Sequence, residues 1–265
     1  MNAPMPGPKD LLDADLERRF GGLRRLYGDA GYARLRAARV AVVGLGGVGS
    51  WAVEALARSG VAELVLIDLD HVAESNINRQ VQALGSTLGM AKGEALRQRV
   101  ADIHPGCRVH VVEEFATPQN WPALLPAPVD AIIDACDQTQ TKVALAAWAL
   151  REQRIFVTVG AAGGKRAPHR VEVGDVSAVT HDPLMASVRQ RLRRDHGVPR
   201  TGVIGVDCVF SREPVAPPAG SDTCNIDGSL NCHGYGSSVT VTATIGLAAA
   251  ARIIERLVHA QTPML

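Results

Sequence analysis

Short apolar runs alternate with longer amphipathic stretches from residue 39 onward. The runs are rich in β-branched residues and are bounded by Gly or Asp, which is typical of strands buried on both faces of a parallel sheet. Five runs predict strands, at residues 40–43, 64–67, 108–112, 131–133 and 155–159. Because each run has a helical stretch near it, the pattern predicts an α/β fold with a mostly parallel sheet and flanking helices.

The helical stretches carry apolar residues at the spacing of one helix face. They predict helices at 47–59, 90–103 and 139–151, and a weaker one at 119–125. Further along, 171–173 and 208–210 predict later strands, and 183–196 predicts a basic amphipathic helix. Residues 197–236 are rich in Gly, Pro, Ser, Asp and Asn, which predicts a long, partly mobile crossover before a final helix at 238–259.

Composition narrows the class of protein without identifying it. The chain is 46% hydrophobic and 21% charged, as folded globular proteins are, and its net charge of +1 means that any surface for nucleic acid or membrane is local. The apolar stretch 239–250 is shorter than the about 20 residues of a membrane span, which predicts a buried helix and no stable membrane insertion. The N-terminus lacks a hydrophobic signal, so we expect a cytoplasmic location.

A glycine-rich turn joins the first predicted strand to the following helix. Residues 44–49 read Gly-Leu-Gly-Gly-Val-Gly, a GxGxxG spacing that lets backbone N–H groups bind phosphate at a helix N-terminus. Asp68 ends the next strand 19 residues after Gly49, where an acid conventionally binds ribose hydroxyls. The glycines alone would also fit a tight turn without a ligand, but the two features together predict a nucleotide site in a Rossmann-like domain.

The residues after Asp68 favour a triphosphate over a dinucleotide. A polar cluster follows the strand and contains Asp70, Asn78, Arg79 and Gln80. Lys92 begins the next helix and is one of only four lysines in the chain. A triphosphate carries about four negative charges, against about two on the pyrophosphate of a dinucleotide, and Arg79 with Lys92 supplies the additional cations. The plain alternative is that these two residues are solvated surface charges.

Asp137 is the candidate ligand for a metal ion. It follows the strand at 131–133, where ligands bind in open α/β sheets, and its carboxylate is placed to hold Mg²⁺ between phosphates. An NAD-dependent oxidoreductase shares the glycine fingerprint and stays an alternative at this point. A non-catalytic nucleotide-binding scaffold would leave Lys92 and Asp137 without a purpose.

Five motifs resemble the adenylating core of the ubiquitin-activating-enzyme-like superfamily, which includes the activators of molybdopterin- and thiamine-pathway sulfur carriers. They are Gly44-Leu-Gly-Gly-Val-Gly-Ser50, Ile67-Asp-Leu-Asp70, Asn76-Ile-Asn-Arg-Gln80, Lys92 and Asp134-Ala-Cys-Asp137. The remaining chain resembles the tRNA threonylcarbamoyladenosine dehydratase family. The motifs that carry this second resemblance are Arg19-Phe-Gly-Gly22, Arg25-Leu-Tyr-Gly28, Asp182-Pro-Leu184, Gly205-Val-Asp-Cys-Val-Phe-Ser211 and, within 236–246, Val241-Thr-Ala-Thr244.

The resemblance implies an ATP site with defined roles. Arg79, Lys92 and Asp137 are the implied catalytic residues, and Asp137 also supports Mg²⁺. The implied nucleotide-binding set comprises Gly44, Gly46, Gly47, Gly49, Asp68, Asp70, Asn78, Arg79, Gln80, Lys92 and Asp137. It further implies three regions within one structural domain: an N-terminal tail at 1–18, an adenylating ATP-binding core at 19–165, and a C-terminal extension at 166–265 packed on the substrate side.

The implied reaction is the ATP-dependent dehydration of threonylcarbamoyladenosine in tRNA. ATP converts the threonyl carboxylate into a mixed anhydride with AMP, and a nucleophile within the same group closes the ring as AMP leaves. Intramolecular attack needs positioning rather than a protein nucleophile. The family also implies a homodimer in which an arginine of one subunit, here Arg19 or Arg25, reaches the ATP of the other.

An activator of a small ubiquitin-like or sulfur-carrier protein is the main alternative. Those activators keep a CxxC zinc site, and no two of the five cysteines here are separated by two residues. A carrier activator would use Cys224 or Cys232 as a thioester acceptor, whereas the dehydration needs neither. His181 and His233 carry no assigned role, and sulfur-transfer proteins are expected only as partners.

Residues 183–200 are the candidate RNA surface. From residue 185 to residue 200 the segment holds five arginines against one aspartate, a local concentration of positive charge that suits RNA phosphates. Arginine also stacks on bases of single-stranded loops such as an anticodon loop. The alternative is a solvated helix face whose arginines pair with acidic residues elsewhere.

Overall fold

A seven-stranded sheet forms the centre of the protein. The computed structural model describes residues 15–216 and 235–260. The strand order is β3-β2-β1-β4-β5-β7-β6, and all neighbouring pairs are parallel except β6 with β7. The strands are β1 (Arg39–Val43), β2 (Glu63–Ile67), β3 (Arg108–Val112), β4 (Ala131–Asp134), β5 (Ile155–Val159), β6 (Val171–Asp175) and β7 (Asp207–Ser211). The mostly parallel α/β sheet expected from the apolar runs is confirmed.

Helices cover both faces of the sheet. They are α1 (Leu16–Phe20), α2 (Gly22–Ala37), α3 (Gly49–Arg58), α4 (Lys92–Ile103), α5 (Thr139–Arg151), α6 (Pro183–Asp195) and α7 (Val239–Val258). Alternate residues of β1 face opposite layers: Val40 and Val42 pack with α2, α3, α4 and α7, whereas Ala41 and Val43 pack with α5 and α6. The period of two along a doubly buried strand explains this division.

The final helix α7 is part of the core. Val241, Ile245, Ile253 and their neighbours are buried in the same layer as α3. Gly246 allows the close approach, because a Cβ there would lie 2.9 Å from Cβ of Trp51. No helix among the described residues is long and apolar enough to cross a membrane.

The expected weak helix at 119–125 is wrong. The chain there forms turns, in which Thr117 and Asn120 hydrogen-bond to each other's backbone N–H groups. Single helical turns form, in which the Trp121 N–H donates to the Thr117 carbonyl at 3.1 Å and the Leu124 N–H to the Asn120 carbonyl at 3.2 Å. Pro122 between them has no N–H to join these turns into a helix.

The structure differs from the sequence-based prediction at two places, one near each end of the chain. Helices α1 and α2 occupy 16–37, where the periodicity predicted no element, and α1 begins inside the expected tail. The expected mobile crossover, residues 197–236, is described up to residue 216, and this part consists of loop and β7. Residues 217–234, with Cys224, Cys232 and His233, lie outside the described residues.

Candidate nucleotide site

The glycine-rich loop between β1 and α3 leaves backbone exposed to a ligand. Gly44 has φ +85°, and a Cβ there would lie 2.8 Å from the backbone of Ala135 and Cys136. At Gly46 a Cβ would meet no heavy atom within 4 Å, so this backbone faces open space. Helix α3 begins at Gly49 without a side-chain cap, so the positive end of its dipole faces the loop, although the Ser50 N–H already donates to the Gly46 carbonyl at 3.1 Å.

Gly47 is enclosed on the other side of the loop. A Cβ there would lie 3.1 Å from Cγ2 of Thr242 on α7 and 3.3 Å from Cγ and Cδ of Arg79. The Arg79 stem therefore packs across the loop, with its guanidinium held by the Ser75 carbonyl and the Asn78 amide oxygen at 2.8 and 2.9 Å. This contact places Arg79 directly beside the loop.

Asp68 ties the end of β2 to the loop. Its Oδ2 accepts from the Leu45 N–H at 2.6 Å, and its Oδ1 accepts from the Asp70 N–H at 2.9 Å. Each carboxylate oxygen has a further lone pair, so the group can still accept from ribose hydroxyls.

Lys92 is held by an ion pair at the start of α4. Its ammonium is buried and lies 2.6 Å from Oδ2 of the more exposed Asp70. The pair uses one of three ammonium donors and leaves the others for phosphate oxygens. Asp70 thus orients Lys92, a relationship that the sequence did not predict.

The polar cluster after β2 divides into exposed and supporting residues. Asn78 is exposed and donates to the Ser237 carbonyl at 3.0 Å, just before α7. Gln80 is buried, and its amide oxygen accepts from Gln82 at 3.0 Å. Gln82 also donates to the Leu45 carbonyl at 3.0 Å, so Gln80 and Gln82 brace the loop. Sequence reasoning did not single out Gln82.

Asp137 is exposed in the turn between β4 and α5. The turn is fixed to β1 by the Ala135 N–H, which donates to the Val43 carbonyl at 2.8 Å. Because β1 and β4 are neighbours in the sheet, Asp137 lies at the same carboxyl edge as the glycine loop. Beneath it, Lys142, Asp134 and Thr158 form a buried polar cluster that sequence reasoning missed, since only tertiary packing brings the three residues together.

The two candidate N-terminal arginines differ in their surroundings. Arg19 Nη1 donates to the carbonyls of Asp102 and Ile103 at 2.8 and 2.6 Å, at the C-terminal end of α4. Arg25 is exposed on α2. Arg19 is therefore committed to capping a helix of its own chain, whereas Arg25 is available to a second subunit.

The described cysteines are poor nucleophiles. Burial, with smaller effects of nearby charges, raises the pKa of Cys107 to about 12. Burial also raises the pKa of Cys136 and Cys208 well above the usual range. Since the thiolate is the reactive form, none of these three groups supplies one near neutral pH.

The arginines of α6 do not form one free surface. Arg189 turns inward and donates to the carbonyls of Val176 and Val179 at 3.2 and 2.8 Å. Arg193 donates to the Pro199 carbonyl, and Arg194 pairs with Asp195. Arg194 and Arg200 are exposed, and Arg191 is half-buried.

The arginine-rich end of α6 lies away from the nucleotide site. Asp182, at the start of α6, accepts from the Ala161 N–H just beyond the carboxyl end of β5. From there the helix runs 13 residues, or about 20 Å, towards the opposite edge of the sheet. The exposed arginines thus lie roughly a helix length from the edge that carries the glycine loop.

Comparisons with known proteins agree with this architecture. The model of the ThiF family matches residues 19–265. A tRNA threonylcarbamoyladenosine dehydratase of Haemophilus influenzae is 41% identical over 91% of this chain and 94% of its own length. One of Escherichia coli is 40% identical over 91% and 93%. The solved structure of the E. coli enzyme in complex with ATP has a TM-score of 0.83 at 39% identity, covering 92% of this chain and 96% of that one.

The chain belongs to the ThiF family, whose model matches it from residue 19 to residue 265. Within that family it belongs with the tRNA threonylcarbamoyladenosine dehydratases, because these relatives match it over nearly their entire length.

Proposed function

We propose that this protein uses ATP to dehydrate threonylcarbamoyladenosine in tRNA. One observation carries the proposal: the glycine loop, Asp68 and Arg79 are assembled at the carboxyl edge of the sheet, in a chain that matches the ThiF family model from residue 19 onward and two dehydratases over 91% of its length. The related E. coli enzyme was solved in complex with ATP, and the relatives are named for this substrate.

The chemistry needs activation followed by ring closure. A carboxylate oxygen attacks the α-phosphorus of ATP, and pyrophosphate leaves. A nucleophile within the threonylcarbamoyl group then attacks the acyl carbon, and AMP leaves with that oxygen. Counted from the free acid, the substrate loses two hydrogens and one oxygen, which leaves with AMP. The net change in the substrate is therefore loss of water. Bond formation driven by ATP cleavage makes the reaction ligase-like.

The residues at this edge of the sheet would serve that reaction by electrostatics and position. The loop N–H groups and the N-terminus of α3 bind phosphate oxygens. Arg79 and Lys92 stabilise charge that shifts onto the departing pyrophosphate. Asp68 would bind the ribose while it holds the Leu45 N–H of the loop. Asp70 would orient Lys92 through their ion pair.

Mg²⁺ fits this site only when shared with ATP. Within residues 15–216 and 235–260, no group of three or more His, Cys, Asp or Glu side chains is placed to hold a metal ion. A single exposed carboxylate, that of Asp137, suits Mg²⁺ that also binds substrate phosphates and water. When bound there, Mg²⁺ would neutralise phosphate charge.

The active form would be a homodimer. The family resemblance suggests an arginine supplied by the second subunit, and the exposed Arg25 suits this role better than Arg19, which caps α4. The extension 166–265 would contribute the substrate side. A tRNA substrate implies a cytoplasmic location. Sulfur-transfer partners stay a separate hypothesis that Cys107, Cys136 and Cys208 do not support.

RNA would contact the exposed arginines near the end of α6. Arg194 lies in the last turn of that helix, about 17 Å from its start, and Arg200 follows in the loop beyond it, so both would bind phosphates away from the modified base. Arg189 is excluded from this surface because it bonds to backbone carbonyls of its own chain.

The deciding experiment incubates the full chain with ATP and tRNA that carries threonylcarbamoyladenosine. The matched control is the same tRNA without that group. We expect AMP and pyrophosphate only with the modified tRNA, measured by chromatography. ADP as the sole product would contradict adenylation. A thioester with a carrier ending in Gly-Gly would favour the carrier activator, and nicotinamide binding would favour the oxidoreductase.

A further inference from the structure

A fully buried lysine lies beneath the nucleotide site. Lys142, in the first turn of α5, donates from Nζ to the Asp134 carboxylate at 3.1 Å and to the Asp134 carbonyl at 3.3 Å. Thr158 of β5 accepts from the same Nζ at 3.2 Å and donates to the carboxylate at 2.7 Å. We call these three residues the buried triad. It joins β4, β5 and α5 below the carboxyl edge of the sheet.

The other oxygen of Asp134 holds the turn at residues 135–137. Oδ1 accepts from the Cys136 backbone N–H at 3.2 Å and from its thiol at 2.9 Å. This turn packs against Gly44, whose added Cβ would lie 2.8 Å from the turn's backbone. The same turn ends at Asp137. The triad therefore supports both the glycine loop and the residue proposed to hold Mg²⁺.

Stability alone does not account for the triad. Moving two charges out of water is costly, and an apolar pair of similar volume is often equally stable or more so. Burial has the largest single effect and lowers the pKa of the Lys142 ammonium, but the Asp134 carboxylate, together with contributions from Cys136 and Cys208, outweighs it, so the net pKa lies above its usual value and the charge persists. An ion pair kept in this position fixes the direction of Asp134, which an apolar contact cannot do.

We propose that Lys142 is a positioning residue for adenylation. By orienting Asp134 it fixes the 135–137 turn, so that Asp137 and the glycine loop keep the spacing that ATP requires. The inference rests on the proposed function, because the step that it serves is carboxylate attack on ATP.

The test compares variants that remove the triad without leaving a buried charge. Asp134→Leu/Lys142→Met replaces both charged groups, and Thr158→Val removes one hydroxyl at nearly constant shape. The control is Lys165→Met, which removes another buried lysine, one that donates to the carbonyls of His181 and Ser211. Each full-length variant is assayed for Tm, ATP affinity and AMP formation with modified tRNA.

We expect a decrease in kcat with little change in binding. The double variant should form AMP about 10–100-fold more slowly, and Thr158→Val roughly threefold more slowly, with KM for ATP changed less than about threefold, since geometry rather than charge contact with ATP is lost. Lys165→Met should retain wild-type kcat. Equal kcat in wild type and the Asp134→Leu/Lys142→Met variant would overturn the inference.

A double-mutant cycle with Asp137→Ala distinguishes a positioning role of the triad from a general loss of structure. If the triad acts through the 135–137 turn, adding the double charge variant to Asp137→Ala should lower kcat by less than about threefold more, and adding Thr158→Val should leave kcat unchanged, because coupled residues are not additive. Fully additive losses would overturn the inference. If the double charge variant does not fold, the Thr158→Val cycle decides between the two outcomes. A wild type that binds ATP but forms no AMP would contradict the proposed function itself.

Discussion

The Asp68 carboxylate accepts a hydrogen bond from the Leu45 backbone N–H, with an oxygen–nitrogen distance of 2.6 Å. The residue that ends β2 thereby sets the shape of the loop that follows β1. The same carboxylate is expected to bind the ribose and also holds the loop that is expected to bind the phosphates. A change at Asp68 should therefore affect both parts of the ATP site.

Asp68→Asn should weaken ATP binding. The amide cannot accept from both the Leu45 and the Asp70 N–H groups while also facing ribose, so a charge-assisted contact worth about 1.5–3 kcal/mol is lost. We expect the ATP Kd, measured by calorimetry, to rise about 10–100-fold. Asp102→Asn, an exposed carboxylate on α4, is the control. An unchanged Kd for Asp68→Asn would remove Asp68 from the site.

Lys92→Ala and Asp137→Ala should each lower turnover by about 10²–10³, the size of one lost electrostatic contact to a transition state. Asp137 is exposed, so its variant should keep the wild-type Tm. Lys92 is buried against Asp70, so we expect a modest fall in Tm there. Steady-state rates of AMP formation measure the turnover of both variants. Near-normal turnover in either folded variant would reassign that residue to a structural role.

Arg19 and Arg25 should have separable effects. Arg19→Ala removes two hydrogen bonds to the end of α4 and should lower Tm, whereas Arg25→Ala should lower turnover at constant Tm. Mixing Arg25→Ala with Asp137→Ala subunits should restore about a quarter of wild-type activity, since half of the random dimers regain one intact site. Mixtures that stay inactive would argue against an arginine acting across subunits.

The RNA surface is tested by replacing Arg191, Arg194 and Arg200 together with Gln. We expect weaker tRNA binding and a smaller slope of log K against log salt, by up to about 0.9 for each lost phosphate contact. ATP binding should not change. Arg189→Gln is the contrasting variant and should lower Tm instead, because that side chain bonds to the Val176 and Val179 carbonyls. An unaltered salt slope would place the RNA elsewhere.

Stability should fall with acidification through His104. Burial, then the charges of Arg36 and Arg19, lowers its pKa to about 4 from the usual 6.5. The unfolded chain therefore binds the proton more readily, so stability is intact above pH 6.5 and is lost as pH falls from there towards 4, by up to about 3 kcal/mol. Urea unfolding at several pH values should show this loss for wild type and a weaker dependence for His104→Leu. Identical pH profiles would contradict the assignment.

The sheet was predictable because its strands are buried on both faces. Apolar β-branched runs such as those of β1 and β5 have few alternative structures, and five strands were placed within one residue of their observed ends. By contrast, α2 contains glycines and a kink at Gly28, with φ +69° and ψ 171°, which leave no clear helical periodicity. Pro122 broke a helix that its neighbours' composition favoured.

The site was predictable only where local sequence determines local structure. The glycine loop and Asp68 were found because a strand, a turn and a helix follow in order. The Lys92–Asp70 pair and the Lys142–Asp134 pair were not, because both depend on side chains brought together across separate elements. The inward turn of Arg189 was hidden for the same reason, since charge along a helix does not show which residues face a neighbouring loop.

Carboxylate adenylation is tested most directly by following its oxygen. The substrate tRNA is prepared with ¹⁸O in the threonyl carboxylate, and the AMP released by the full chain is analysed by mass spectrometry. Carboxylate adenylation predicts AMP that carries one ¹⁸O, because the carboxylate oxygen bonded to phosphorus leaves with AMP when the ring closes. Unlabelled AMP, formed together with cyclised tRNA, would contradict it.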